Sequence, residues 1–390
     1  MKTGPDGAAA PGGTAPGAAA PGGTAEGPVN GPVGGAVDEL ASRPGGPPAD
    51  RARRVAAIDC GTNSLRLLIA DVSLARHELT DVKRQMEIVR LGQGVDATGR
   101  LAPAALARTL GVLRQYARSI DQAGVTAVRM VATSATRDAS NAAEFVRGVV
   151  DILGVPPEVI TGAQEALLSF TGATAELAAP GRDGGTAGGL LPPYLVLDIG
   201  GGSTEFVVGP ASPSDPPPSP LPLSGGAAGE DPELHAVSTD IGCVRLTERH
   251  LHDDPPTAAQ VAAATADIDA AIASAAAQVP VTAAATLVGL AGSVTTVAAL
   301  ALGLPGYDPA RIHHARISAE QVHEVTLRLL GMTRAERAAL GPMHPGRVDV
   351  IGAGALVLDR VLDRLNFAEV VASEHDILDG IAWSIAADDR

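Results

Sequence analysis

Asp198-Ile-Gly-Gly-Gly-Ser-Thr-Glu205, set between runs at Leu195–Leu197 and Glu205–Val208, is the stretch on which the reading of this chain turns. The flanks read as strands and the glycines between them as a tight turn. A plain hairpin needs one or two glycines, and three in a row are conformationally expensive. The surplus at Gly200, Gly201 and Gly202 points to backbone that must lie close to a ligand. Ser203 and Thr204 add hydroxyl donors, and Asp198 and Glu205 bracket the turn with carboxylates. Hard oxygen donors of this kind suit Mg²⁺, which usually takes one or two carboxylates together with waters and substrate phosphate. The alternative is an ordinary turn with a solvated Glu205.

The pattern has an earlier copy. A strand at Val55–Ile58 leads into Asp59-Cys-Gly-Thr-Asn-Ser64 and then a strand, Leu65–Asp71, that carries Arg66. Gly61 lets backbone N–H groups approach a ligand, and Thr62, Asn63 and Ser64 add side-chain donors. Arg66 is suited to grip a phosphate through two parallel hydrogen bonds. Asp59, at a strand end, is a candidate for a metal or its water shell. The alternative is a hairpin with polar turn residues. Two strand–Asp–Gly turn–strand units imply an internal duplication, with two related lobes presenting their hairpins to a shared cleft.

Outward from these hairpins, strand-like and helix-like patterns alternate, which marks an α/β architecture. Strands are expected at Met86–Leu91, Arg129–Ala132, Val159–Ile160, Ala236–Thr239 and Leu287–Leu290. Helices are expected at Pro103–Gln122, Asn141–Leu153, Gln164–Leu177, Thr257–Gln278, Val294–Ala301, Ala319–Leu330, Arg347–Leu365 and Ile377–Ala387. Residues 1–53 are expected to be a disordered tail: 33 of the first 50 are Ala, Gly or Pro, too little apolar surface to offset chain entropy. Residues 54–178 then form the first lobe and 194–390 the second, with the last helix packing back on the first lobe. Residues 179–193 and 210–232 read as Gly/Pro-rich loop insertions.

Composition narrows the function. A net charge of −15 and 2% aromatic residues disfavour nucleic-acid binding and base stacking. Cys60 and Cys243 make neither a disulfide framework nor a zinc site. The absence of a long apolar run or a leader-like start points to a cytoplasmic protein that does not bind membranes.

Three further segments carry candidate chemistry. Leu290-Ala-Gly-Ser-Val-Thr-Thr296 joins a strand to a helix, and Gly292 and Ser293 there suit either an anion or a helix cap. Ala132-Thr-Ser-Ala-Thr-Arg137 offers Arg137 as a phosphate clamp or as a solvated cation. Glu165, at a helix start, is either a partner of the helix dipole or a general base. The histidines have no acidic or cysteine partners at metal-binding spacing.

Together, Val55-Ala-Ala-Ile-Asp59-Cys-Gly-Thr-Asn-Ser-Leu-Arg66, Arg90-Leu-Gly-Gln-Gly, Ala132–Arg137, Asp198–Glu205, Gly289-Leu-Ala-Gly-Ser-Val-Thr-Thr and Ser373-Glu-His-Asp-Ile-Leu-Asp-Gly380 resemble, in order, the motifs of the exopolyphosphatase/guanosine pentaphosphate phosphohydrolase (Ppx/GppA) family. The resemblance implies the actin/sugar kinase/Hsp70 fold, two ribonuclease-H-like lobes around a cleft, and Mg²⁺-dependent cleavage of phosphoanhydrides from a chain end. Glu165 matches the family's catalytic base, and Asp198 and Glu205 its water- and metal-handling carboxylates. Arg137 and the Gly/Ser/Thr turns match its phosphate contacts, and Asp59 its first-lobe carboxylate. Arg90, Arg137 and Arg245 are expected at the mouth of the site. Gln164 stands where the family often has an acidic residue, and Ala-Gly-Ser where Gly-Gly-Thr is common. No C-terminal helical domain of the HD type is legible, so the short two-domain form, short polyphosphate chains and a homodimer are expected. Guanosine pentaphosphate is the alternative substrate. A kinase of the same superfamily and a catalytically silent polyphosphate or alarmone sensor are the rival readings.

Overall fold

The structure is a computed structural model and describes residues 52–175, 177, 190–210 and 234–388. The expected tail up to residue 51, and most of the two low-complexity insertions, lie outside the described residues. Within them, two mixed sheets repeat one topology. The first is built from β1 (Arg53–Cys60), β2 (Ser64–Ser73), β3 (Glu78–Ile88), β4 (Ala127–Ala132) and β5 (Glu158–Val159), in the order β3-β2-β1-β4-β5. The second contains β6 (Tyr194–Ile199), β7 (Thr204–Gly209), β8 (His235–Thr239), β9 (Thr286–Leu290), β10 (Arg316–Ser318) and β11 (Glu369–Ala372), in the order β10-β11-β9-β6-β7-β8. In each, a three-stranded antiparallel meander is extended by two parallel strands on the far side of its first strand, and the second sheet adds β10 antiparallel at that edge. This duplicated ribonuclease-H-like topology is the actin/sugar kinase/Hsp70 fold.

Burial explains the strand chemistry. The central strands β1 and β6 are apolar almost throughout because helices cover both sheet faces. One face of the first sheet packs Ile58, Leu65 and Leu67 against Leu113, Tyr116 and Phe145 from helices Pro103–Ala123 and Ala142–Leu153. One face of the second packs Leu195, Leu197 and Phe206 against Ile268, Leu329 and Leu358.

The remaining two faces are covered by helices that cross between the lobes. Helix Gly162–Thr174, which follows the first sheet in sequence, lays Ala166 and Phe170 on Val196 and Val207 of the second. Helix Ile377–Ala387, at the end of the chain, lays Ile381 and Trp383 on Val55, Ala57 and Leu68 of the first. The two helices touch through glycines. A Cβ at Gly172 would stand 1.8 Å from the Asp376 carbonyl oxygen, and one at Gly380 would stand 2.0 Å from that of Leu168. The segment 162–174, expected within the first lobe, therefore packs on the second sheet.

Several elements differ from expectation. The strand expected at Met86–Leu91 runs over Glu78–Ile88, because it is a charged edge strand without an apolar stripe. Val89 and Arg90 have left the ladder, and their N–H groups donate to the Asn63 carbonyl. The helix expected from Arg347 begins at Ile351. Helix Cys243–His250 and strands β10 and β11 are absent from the sequence reading because they are short, at eight, three and four residues.

Candidate active site

Each sheet delivers its Asp at the end of its first strand and turns at once. Asp59 stands opposite Arg66 in the β1–β2 register, and Asp198 stands opposite Glu205 in the β6–β7 register. Both turns close with the same bond: Gly61 N–H donates to Ser64 O, and Gly200 N–H to Ser203 O, each at 3.0 Å.

The turns are oriented from behind. The carbonyls of Gly200 and Gly201 accept from Cys243 N–H (2.9 Å) and Val244 N–H (2.8 Å), the otherwise unpaired donors at the start of helix Cys243–His250. A trans peptide points its N–H opposite its C=O, so the N–H groups of Gly201 and Gly202 face away from that helix. The first turn is held likewise, with the Thr62 and Asn63 carbonyls accepting from Gly92 and Arg90 N–H at 2.8 Å. Gly202 also serves the junction of the lobes, since a Cβ there would be 2.5 Å from Ser134 Oγ and 2.7 Å from Thr62 Oγ1.

A narrow cleft lies between the turns. It is lined by Asp59, Gly61, Thr62, Asn63, Ser64, Arg66, Glu165, Asp198, Gly200, Gly201, Ser203, Gly292 and Ser293 from the sequence-derived set. Four members of that set do not line it. Thr204 is fully buried and donates to the Ile241 carbonyl, and Gly202 is packed against Ser134. Glu205 sits directly behind the wall. Arg137 donates to the Ile160 carbonyl and lies 3.5 Å from Glu165 Oε2. Arg90 is paired with Asp349, and Arg245 with Asp96 and Asp138, so these two hold neighbouring segments rather than present free cations.

Ser293 is not the helix cap. Helix Ala291–Ala301 is capped by Leu290 without a side-chain bond, and Ser293 lies inside its first turn. Ala291 has φ +64°, a left-handed conformation that glycine adopts more easily. The Ala-Gly-Ser departure noted in the sequence thus falls on a strained position.

Arg66 does not wait free for phosphate. It donates to Asp59 (2.9 Å) and to Asp376, the N-cap of the last helix. Burial alone would lower its pKa, but Asp376 and Asp59 hold it firmly charged. The cation that sequence reading missed is Arg347. It lines the cleft, lies against Gly292, and contacts Thr296 Oγ1 and Met86 Sδ. Its position depends on a loop 149 residues after Asp198, which no local motif announces.

The carboxylates are buried together. Burial raises Asp198 to about 6, against a lowering hydrogen bond from Ser169 Oγ at 2.6 Å. Burial and then Asp198 raise Glu205 to about 8, and Ser238 Oγ donates to its Oε1 at 2.7 Å. Burial, followed by the charges of Glu205, Asp198 and Asp59, pushes Glu165 well above the carboxylate range, with Arg137 opposing. Burial also raises Asp59 against the pull of Arg66.

Asp59 Oδ1, Glu165 Oε2 and Glu205 Oε2 are buried without a hydrogen bond. Among the described residues no three His, Cys, Asp or Glu side chains converge closely enough to cage an ion by themselves. The unpaired carboxylate oxygens are hard donors of the kind that suits a cation such as Mg²⁺, which takes one or two carboxylates and keeps part of its water shell. No helix of the described residues is long and apolar enough to cross a membrane.

The Ppx/GppA phosphatase family profile matches residues 68–388. Exopolyphosphatase 2 of Mycobacterium tuberculosis is 50% identical over 344 residues, 85% of this chain and 98% of that one. Among solved structures, an exopolyphosphatase-like protein shares 41% identity at a TM-score of 0.75, covering 86% of this chain and all of the other. The Aquifex aeolicus Ppx/GppA family member shares 28% at 0.66, covering 87% and 99%. With its duplicated hairpins facing one carboxylate-lined cleft, this chain belongs to the Ppx/GppA phosphatase family, hydrolases of phosphoanhydride bonds.

Proposed function

We propose that this protein is a divalent-cation-dependent exopolyphosphatase that releases the terminal phosphate of inorganic polyphosphate, short chains in particular. The observation that carries the reading is Glu165. It is a buried carboxylate whose Oε2 accepts no hydrogen bond and faces the Arg137 guanidinium at 3.5 Å, on the wall of a cleft framed by two Gly-rich turns.

In this reading the N–H groups of the turns and Arg347 hold the equatorial oxygens of the terminal phosphoryl group, where negative charge develops in the transition state. Ser64, Asn63, Ser203 and Ser293 add donors. Glu165 orients the attacking water and takes its proton, and its raised pKa makes it a stronger base once ionised. Arg137, beside Glu165, favours that ionised form. Asp198 and Glu205 hold the cation, with Asp59 across the cleft. Mg²⁺ bound there would offset charge on the phosphoryl oxygens. Burial of the cleft between the lobes keeps bulk water from competing.

The preference for short chains rests on what lies beyond. A second chamber of about 1050 Å³ opens past Arg66, Met86, Gly292 and Arg347. Three arginines line it, but Arg66 and Arg84 are already paired with Asp59, Asp376, Asp81 and Asp379. Arg347, the third, serves the terminal phosphoryl group in this reading, which leaves none of these three arginines for a further phosphate. The same chamber supports a second reading, hydrolysis of guanosine pentaphosphate. Met86, Tyr307, Pro342, Met343 and His344 give it an apolar wall suited to a nucleoside.

Phosphate release from short polyphosphate, long polyphosphate and guanosine pentaphosphate, each with Mg²⁺ or with EDTA, separates these readings. Fastest release from short polyphosphate, lost in EDTA, supports the first. Release confined to the nucleotide supports the second. Binding without release from any of them overturns both in favour of a sensor. A cytoplasmic location, from the sequence pattern, and a homodimeric state, from the family resemblance, complete the reading, and analytical ultracentrifugation reads the second.

A further inference from the structure

The buried carboxylates of the cleft share an arrangement. Asp198 accepts from Ser169 Oγ through Oδ2, and Glu205 accepts from Ser238 Oγ through Oε1, with Ser203 acting on the same Glu205 carboxylate. Each of these two serine bonds takes one oxygen and leaves the other, and the remaining oxygen of Glu205 is buried with no hydrogen bond at all. The two serines reach the site from different elements. Asp198, Glu205 and Ser238 lie side by side in register on β6, β7 and β8. Ser169 comes from above, four residues along helix Gly162–Thr174 from Glu165 and so on the same helical face. The start of that helix is pressed onto Ser238: a Cβ at Gly162 would fall 2.4 Å from Ser238 Cβ.

A hydroxyl that donates to a carboxylate favours its ionised form and fixes its rotamer, both of which burial opposes. Ser169 is itself wholly buried, so its hydroxyl has no water as an alternative partner. We propose that Ser169 and Ser238 are positioning residues, each pinning one oxygen of a cation-holding carboxylate so that the other is presented to the ion. The inference rests on the reading of Asp198 and Glu205 as cation ligands. In the first half of the duplication Arg66 does the same to Asp59, taking Oδ2 and leaving Oδ1 buried and unbonded.

Outer partners of metal ligands typically account for 10–100-fold in metal affinity. The test is Mn²⁺ binding, read by electron paramagnetic resonance and calorimetry on the full chain without substrate. S169A and S238A are each expected to weaken Mn²⁺ binding about tenfold. S238T, which keeps the hydroxyl, is expected to bind as the unsubstituted chain does. In a D198N background S169A is expected to cost nothing further, because the hydroxyl acts through that carboxylate. Should S169A fail to fold, the S238A and S238T pair decides the question. The inference is overturned if D198N and E205Q weaken Mn²⁺ binding while the serine variants stay within twofold, or if the loss from S169A persists undiminished beside D198N. If D198N and E205Q bind as tightly as the unsubstituted chain, the assignment of the ligands fails and takes this inference with it.

Discussion

Arg66 and Glu205 occupy the same place in two copies of one hairpin: Arg66 faces Asp59 across β1–β2, and Glu205 faces Asp198 across β6–β7. The duplication has diverged at this point into opposite charges. The first lobe neutralises its own carboxylate with an arginine. The second gathers Asp198 and Glu205 next to Glu165, and the proposed mechanism places its cation and its base in that unbalanced half.

Stability follows from the imbalance. In the cation-free protein Asp198 titrates near 6 and Glu205 near 8, both above the ordinary value of about 4 that they regain on unfolding. The native state therefore binds more protons than the unfolded state in that window. The stabilisation is full below about pH 4 and is lost as pH rises through 8. Urea unfolding in EDTA is expected to show stability falling from pH 5 to 8.5. E205Q should flatten the slope, and Mg²⁺ should restore stability at the alkaline end.

Ala291 offers a gain. Its left-handed backbone costs about 1–2 kcal/mol, whereas glycine pays about 0.5–1 kcal/mol in chain entropy. A291G is expected to raise stability by up to about 1 kcal/mol in urea unfolding. Destabilisation would mean that the Ala291 methyl is needed where it lines the cleft.

The helix crossing tolerates no side chain. With a Leu168 carbonyl oxygen 2.0 Å from a Cβ at 380, G380A must push backbone apart, at the upper end of the about 1–3 kcal/mol usual for overpacking. Thermal unfolding should show a large loss. A neutral outcome would mean that the two crossing helices can separate freely.

Arg137 acts through Glu165 in this account. Removing the cation 3.5 Å from Oε2 lifts the Glu165 pKa further, so the acidic limb of the pH–rate profile in R137A should move to higher pH. A raised KM for polyphosphate with an unmoved profile would return Arg137 to the role of phosphate clamp.

The hairpins were legible because their signal is local. A strand, an Asp, glycines and a second strand lie within a dozen residues, and the internal copy made the turn chemistry hard to read as chance. Ser169 was within reach of the same logic, one helical turn beyond Glu165. Arg347 and Ser238 were not, since they enter the site only through strand pairing and loop packing over long sequence separations, and Asp376, though it lies in a quoted motif, shows its pairing with Arg66 only in the fold. Arg66 depends on the same long-range packing. Its type and place suit a phosphate, and a carboxylate at the start of the last helix, 310 residues away, also pairs with it. The edge strand β3 was displaced in the reading because edges are charged to resist pairing, which erases the apolar pattern that marks a strand.

Turnover of E165Q tests the central claim most directly. The substitution keeps shape and removes the base. Phosphate release from short polyphosphate should fall about 10²–10⁴-fold, with polyphosphate and Mn²⁺ still bound. Release within a few-fold of the unsubstituted enzyme would contradict the account and remove Glu165 from the chemistry.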